Sequence, residues 1–402
     1  MSQNDIKNLP GVMPVNKTKT VVLARKSETF QVYRVPLKYL YYNDQNDRIS
    51  TEVVRYCTEN DRDLPTDRDE YNQIFEDLIV KSKKDAIIKT QRSIATRGQD
   101  NPGVTLKDGR VIDGNRRFTC LRRIERETNQ EQFFETIILD YNYKDDYKYI
   151  KSLELELQMG VDEKVKYDPI DKLFGVYKSI RIEKAFTIEE YASLFDDYSV
   201  SEVKKDLALA DLMVEYLEFQ GTPGKYYIAK DMDLQGTLFE IPSILDKVAK
   251  KNSDLVDDVK LRIFASISVG ASKKLNQFLR DLRDVVENGD LVKYLSETDE
   301  AVAETIRVLD ENPIHNYNDL ADGIRSREDL KEKLVLPVTT QKKAVDSKKL
   351  KKAPIRYSKE AISTLNAIHM ESILEMSDDD RNELRGLLDQ LENKISEIRE
   401  KL

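Results

Sequence analysis

After Leu157 the apolar residues of this chain fall almost wholly at helical spacing, whereas before it β-branched and aromatic runs alternate with helical stretches. Strands repeat every two residues and helices every 3.6, so the change of period divides the chain. An α+β unit of roughly 130 residues is expected first. A mostly α-helical middle and C-terminal region should follow it.

Within the first part, "VVLAR" and "FQVYRVPLKYLYY" read as one or two strands. Ile74, Phe75, Leu78 and Ile79 follow helical spacing, as do Ile87, Ile88, Gln91 and Ile94, and Gly98 closes the second helix as a left-handed cap. "GVTLKDGRVI" places Asp108-Gly109 between two apolar runs, the pattern of a hairpin. A helix with Phe118, Leu121 and Ile124 at steps of three comes next, then "ETIILDY" as a buried strand.

In the helical part, Pro169 sits at a first-turn position, and Thr187 with Glu190 forms a capping box. "DDYSVSEV" turns tightly into a second helix through Val203, Leu207 and Leu209. This pair reads either as a helix-turn-helix or as a structural helical pair. In the first case Ser199, Ser201, Lys204 and Lys205 face a DNA major groove. "QGTPGKYY" is a turn rather than a phosphate loop, since Gly221 and Gly224 are too close and Lys225 precedes Tyr226.

The expected segments are an N-terminal arm over 1–27, the α+β domain over 28–160, a helix-turn-helix-like domain over 161–240 and a helical domain over 241–335. Residues 336–357, with prolines near both ends and three Lys-Lys pairs, read as a flexible basic linker. Residues 358–402 form C-terminal helices. There Leu384, Leu388, Leu391, Ile395, Ile398 and Leu402 step by 4, 3, 4, 3, 4, a coiled-coil seam open to homodimerisation or to packing on the helix around Ile362, Leu365 and Ile368.

Composition excludes several classes. With Cys57 and Cys120 the only cysteines and His315 and His369 the only histidines, neither a disulfide framework nor a Cys/His zinc site can be assembled, which fits a reducing cytoplasm. No signal-peptide core and no run of eighteen apolar residues is present, so neither export by that route nor a membrane span is expected. The net charge of -9 argues against affinity for DNA over the whole surface, so any DNA contact must be a local basic patch.

The richest stretch is Asp113-Gly114-Asn115-Arg116-Arg117, directly after an apolar run and at the first turn of a helix. A helix N-terminus carries about half a positive charge, so two arginines there are unfavourable unless an anion joins them. The bare Gly114 would let a phosphate approach the backbone N–H groups, with Arg116 and Arg117 as bidentate donors. The alternative is a strand end whose arginines pair with nearby acids.

"IATRGQDNPGVTLKDGRVIDGNRRFTCLRRI" resembles the N-terminal domain of the ParB family, which shares its fold with sulfiredoxin. "LELELQMGVDEKVKYDPIDKLFGVYKSI" is similar to the segment with which ParB proteins close the nucleotide site and enter their helix-turn-helix. The resemblance spans roughly residues 30 to 215. It implies a nucleoside triphosphate, CTP or ATP, held with magnesium. Gly98, Gln99 and Pro102 would lie near the base and phosphate path, while Asp113, Gly114, Asn115, Arg116 and Arg117 would form the triphosphate turn. Asn115 replaces the family's usual glutamate, and its later Glu-Asn pair aligns with Leu155 and Glu156, leaving Glu154 and Glu156 as magnesium ligands. Sulfinic acid reduction is excluded, because Asn115 stands where sulfiredoxins carry the reactive cysteine and Cys120 reads as a core residue.

The resemblance implies nucleotide-dependent DNA binding, in a plasmid, phage or mobile-element setting. Two alternatives stay open. One is an enzyme using the same pocket, either a nucleoside triphosphate hydrolase (CTPase or ATPase) or a small-molecule kinase of the Asp-Gly-x-x-Arg type. The other is an interaction protein with a vestigial pocket.

Overall fold

The computed structural model describes residues 5–402 apart from 24, 25, 48, 83, 144, 161–167 and 196. A small N-terminal domain built on a mixed sheet is followed by a largely α-helical region. The sheet contains β1 (Met13–Leu23), β2 (Lys26–Pro36), β3 (Tyr41–Tyr42), β4 (Gly103–Leu106), β5 (Arg110–Asp113) and β6 (Phe133–Leu139), in the spatial order β1-β2-β6-β4-β5-β3. The β1/β2, β2/β6 and β4/β5 pairs are antiparallel, and β4/β6 and β3/β5 are parallel.

Both faces of the sheet are covered. α1 (Ser50–Glu59), α2 (Arg68–Ser82) and α3 (Lys84–Arg97) precede β4, α4 (Asn115–Thr128) links β5 to β6, and α5 (Tyr147–Gly160) follows β6. Strand alternation on β6 sends Phe134 and Ile138 to a core with Phe75, Ile87, Ile94, Phe118 and Leu121, and Ile137 and Leu139 to a second core with Ile150 and Leu153. Each such side chain contributes roughly 1.5–3 kcal/mol when fully buried. The hairpin turn and the cap are as the sequence indicates: Gly109 has φ +91° and Gly98 φ +78°.

The expected arm over 1–27 is instead largely strand. Residues 13–23 pair with β2, because Thr18 and Thr20 alternate with Lys17 and Lys19 and run into Val21 and Val22, a β-forming pattern on an edge strand. The expected boundary between 28–160 and 161–240 falls on residues 161–167, outside the described residues.

The helical region begins with α6 (Pro169–Tyr177), capped by Asp168, which passes into a π-helical turn over Lys178–Ile182. Then come α7 (Ile188–Ala192), α8 (Val200–Phe219), α9 (Tyr226–Asp231), α10 (Gln235–Lys251), α11 (Val256–Val269), α12 (Leu275–Asn288), α13 (Leu291–Glu311) and α14 (Tyr317–Asp322). One core runs from Ile170 through Leu238, Phe264 and Leu282 to Val338, and the expected division at 240/241 lies inside α10.

The flexible linker over 336–357 is overturned. Residues 328–366 form one helix, α15 (Glu328–Asn366), with Pro337 and Pro354 inside it. Packing of α15 on α12 and α13 holds its first half, where Leu330, Leu334, Pro337 and Val338 are buried, and that burial outweighs the backbone bond a proline removes. α16 (Met370–Leu374) and α17 (Asp378–Arg399) complete the chain, and from residue 346 to 402 no side chain is buried. Among the described residues no helix is long and apolar enough to cross a membrane.

Candidate functional site: the N-terminus of α4

The turn at Asp113-Gly114 is held by contacts from three strands. Gly114 has φ +102°, a left-handed conformation that glycine adopts without strain. A β-carbon there would lie 2.8 Å from the Phe134 ring and 3.0 Å from Arg117 Nη2. One at Gly103 would lie 2.3 Å from the same ring. The missing β-carbon at 114 thus makes room for Phe134 and for the Arg117 guanidinium, which folds back across the turn.

Arg117 Nη2 donates to Asp113 Oδ2 at 3.0 Å, and its Nε is buried without a hydrogen-bond partner. The same carboxylate oxygen accepts from Lys19 Nζ at 3.3 Å, and Lys19 also donates to the Pro102 carbonyl at 2.6 Å. Lys19, on β1, is partly buried, and this desolvation holds its ammonium below the usual lysine range despite Asp113. No side chain caps the first turn of α4, and that turn contains no acid. Two cations therefore share one carboxylate, beside the uncapped start of a fourteen-residue helix.

The structure brings Pro102, Asp113, Gly114 and Arg117 together and adds Lys19. Arg116 is half-buried on the first turn of α4, its charge acts on the Cys120 thiol one turn on, and Cys120 Sγ lies 3.6 Å from the Ile87 carbonyl on the α3 side. Burial pushes that thiol up to about 12, so Cys120 is an inert core residue, as its sequence context indicates. Asn115 Oδ1 is buried without a partner. Gln99 is committed to β6, donating to the Asn101 and Glu135 carbonyls at 3.0 and 2.7 Å and accepting from Glu135 N–H at 2.9 Å. Its amide clasps the 98–102 loop to the sheet. Gly98 has open space around its α-carbon.

The magnesium assignment does not fit Glu154. That carboxylate is 1% exposed in an ion cluster with Lys151 (3.6 Å), itself 2.8 Å from Asp47. Burial there pushes Glu154 up to about 7, and an enclosed, lysine-balanced acid offers no open coordination position. Glu156, two residues further along α5, accepts from Ser152 at 3.4 Å. Among the described residues, no group of three or more His, Cys, Asp and Glu side chains is arranged to hold a metal ion.

On α8, Ser199 is the N-cap and forms a capping box with Glu202. Ser201, Lys204 and Lys205 are exposed on its first two turns, while Val203 and Leu207 pack against Tyr191 and Ala192 of α7. Lys19 escaped the sequence reading because the polar segment around it read as an arm; the alternation in "NKTKTVV" was the available signal. A second cleft, of about 770 Å³, opens between α1, α9 and α14, but its Arg55 is already paired with Asp231 at 2.6 Å. Compared with known protein families and with curated proteins, the chain matches no family model and no curated sequence.

Proposed function

We propose that this protein binds the phosphates of a nucleoside triphosphate at the N-terminus of α4 and couples that binding to DNA held by its helical region, in the manner of the ParB proteins it resembles. The observation that supports the nucleotide part is the convergence of Lys19 and Arg117 on the single carboxylate of Asp113, beside an uncapped helix start. A phosphate entering this notch would gain two charge-assisted partners and the helix-end N–H groups together. The exposed Ser201, Lys204 and Lys205 at the start of α8 support the DNA part. Asp113, the carboxylate a phosphoryl-transfer enzyme of the Asp-Gly-x-x-Arg type would use, is engaged by both cations, which favours binding over turnover.

The test is thermal denaturation and calorimetry of the full chain with ATP, CTP, GTP and UTP, each with and without magnesium. One of the four should stabilise the fold, by about 2.7 kcal/mol at a hundredfold excess over its Kd. Binding of none of them refutes the nucleotide part and leaves the interaction-protein reading.

A further inference from the structure

The buried seam of α15 changes character where the helix leaves the body. Leu330, Leu334, Val338, Gln341 and Val345 are buried and step by 4, 4, 3 and 4. The same register continues through Lys348, Lys352 and Lys359, which step by 3, 4 and 7 and are all exposed. None of these three forms an ion pair among the described residues. Between residues 347 and 359 the chain has six cations and no acid, although acids outnumber cations over the whole protein, 74 to 65. At a rise of about 1.5 Å per residue, the three lysines lie along roughly 16 Å of one helix face.

We propose that this face is a docking surface for the phosphate backbone of duplex DNA. The partner must be a polyanion, since the face carries one charge per turn or two and Ile355 is the single large apolar side chain among them. A protein interface would need an apolar core there, whereas duplex DNA presents a dense, regular row of charges. A membrane surface fits poorly. The apolar residues Leu350 and Tyr357 lie on the opposite side of the helix, so inserting them would point the lysines away from the lipid headgroups. The inference rests on the DNA-binding part of the proposed function and not on the nucleotide part.

The experiment is fluorescence anisotropy of a labelled, random-sequence DNA duplex titrated with the full chain over a range of salt concentrations. Replacing Lys348, Lys352 and Lys359 together by Gln, an equally good helix former, should weaken binding at least tenfold at low salt and reduce the salt slope by about 3. The corresponding triple Lys→Arg variant should bind like wild type, and circular dichroism should show unchanged helix content in both. Unchanged affinity and slope in the Gln variant overturn the inference. So does preferential binding of the wild type to polyglutamate or to phosphatidylserine vesicles over DNA. If instead Lys204→Glu with Lys205→Glu leaves binding intact while the Gln variant loses it, α15 is supported and the α8 assignment fails. No binding of wild type to duplex overturns both.

Discussion

Replacing Arg117 by alanine separates a phosphate site from a surface ion pair. In the folded chain its guanidinium is 22% exposed and gives one N–H to Asp113, four residues earlier on the same turn. Such partly exposed i,i+4 pairs contribute about 0.3–0.5 kcal/mol, so Arg117→Ala should barely move the melting temperature. A phosphate in the notch engages the same side chain differently. Hydrogen bonds to charged groups contribute about 1.5–3 kcal/mol, and each 1.4 kcal/mol is a factor of ten, so Kd should rise by roughly ten- to 150-fold. Calorimetric titration of the preferred triphosphate into wild type and variant measures this directly. Lys19→Met should give a loss of the same order, and the double variant should lose less than the sum, since both cations share Asp113 and one ligand. Arg117→Ala binding the triphosphate as tightly as wild type would refute the reasoning.

Gly114→Ala puts a β-carbon into a left-handed backbone beside the Phe134 ring, so it should cost about 1–3 kcal/mol of folding stability, read as a lower midpoint in urea. A midpoint equal to wild type would show that the turn relaxes. Glu154 has its folded-state value raised from near 4.5 to about 7 by burial, so its contribution to stability is present at low pH and is lost as pH rises through that window. Glu154→Gln removes this titration, so its stability relative to wild type should climb between about pH 4.5 and 7; a constant difference in melting temperature would show that Glu154 stays ionised. The seam residues of α17 from Leu388 to Ile398 are exposed, so Leu391→Asp with Ile395→Asp should lower the mass seen by light scattering if α17 pairs with a second copy. An unchanged mass would place any dimer contact elsewhere.

The sequence alone determined the elements whose cause is local. The Asp108-Gly109 hairpin, the left-handed Gly98 cap, the Asp113-Gly114 entry into α4 and the capping box at Thr187 all follow from backbone preferences of a few residues. So did the passage from a mixed α+β unit to helices, because hydrophobic period is a property of neighbouring residues. What tertiary structure decided were the cases where distant burial overrode local chemistry. Pro337 reads as a helix stop, but packing against α12 and α13 carries α15 through it. The segment around Lys19 reads as a polar arm, but pairing with β2 makes it a strand and delivers its ammonium to Asp113, 94 residues away. Gln99 and Glu154 carry chemistry suited to a ligand, and only the fold shows one clasping β6 and the other enclosed with Lys151. A side chain's partners are set by which strands and helices meet, and spacing along the chain does not carry that information.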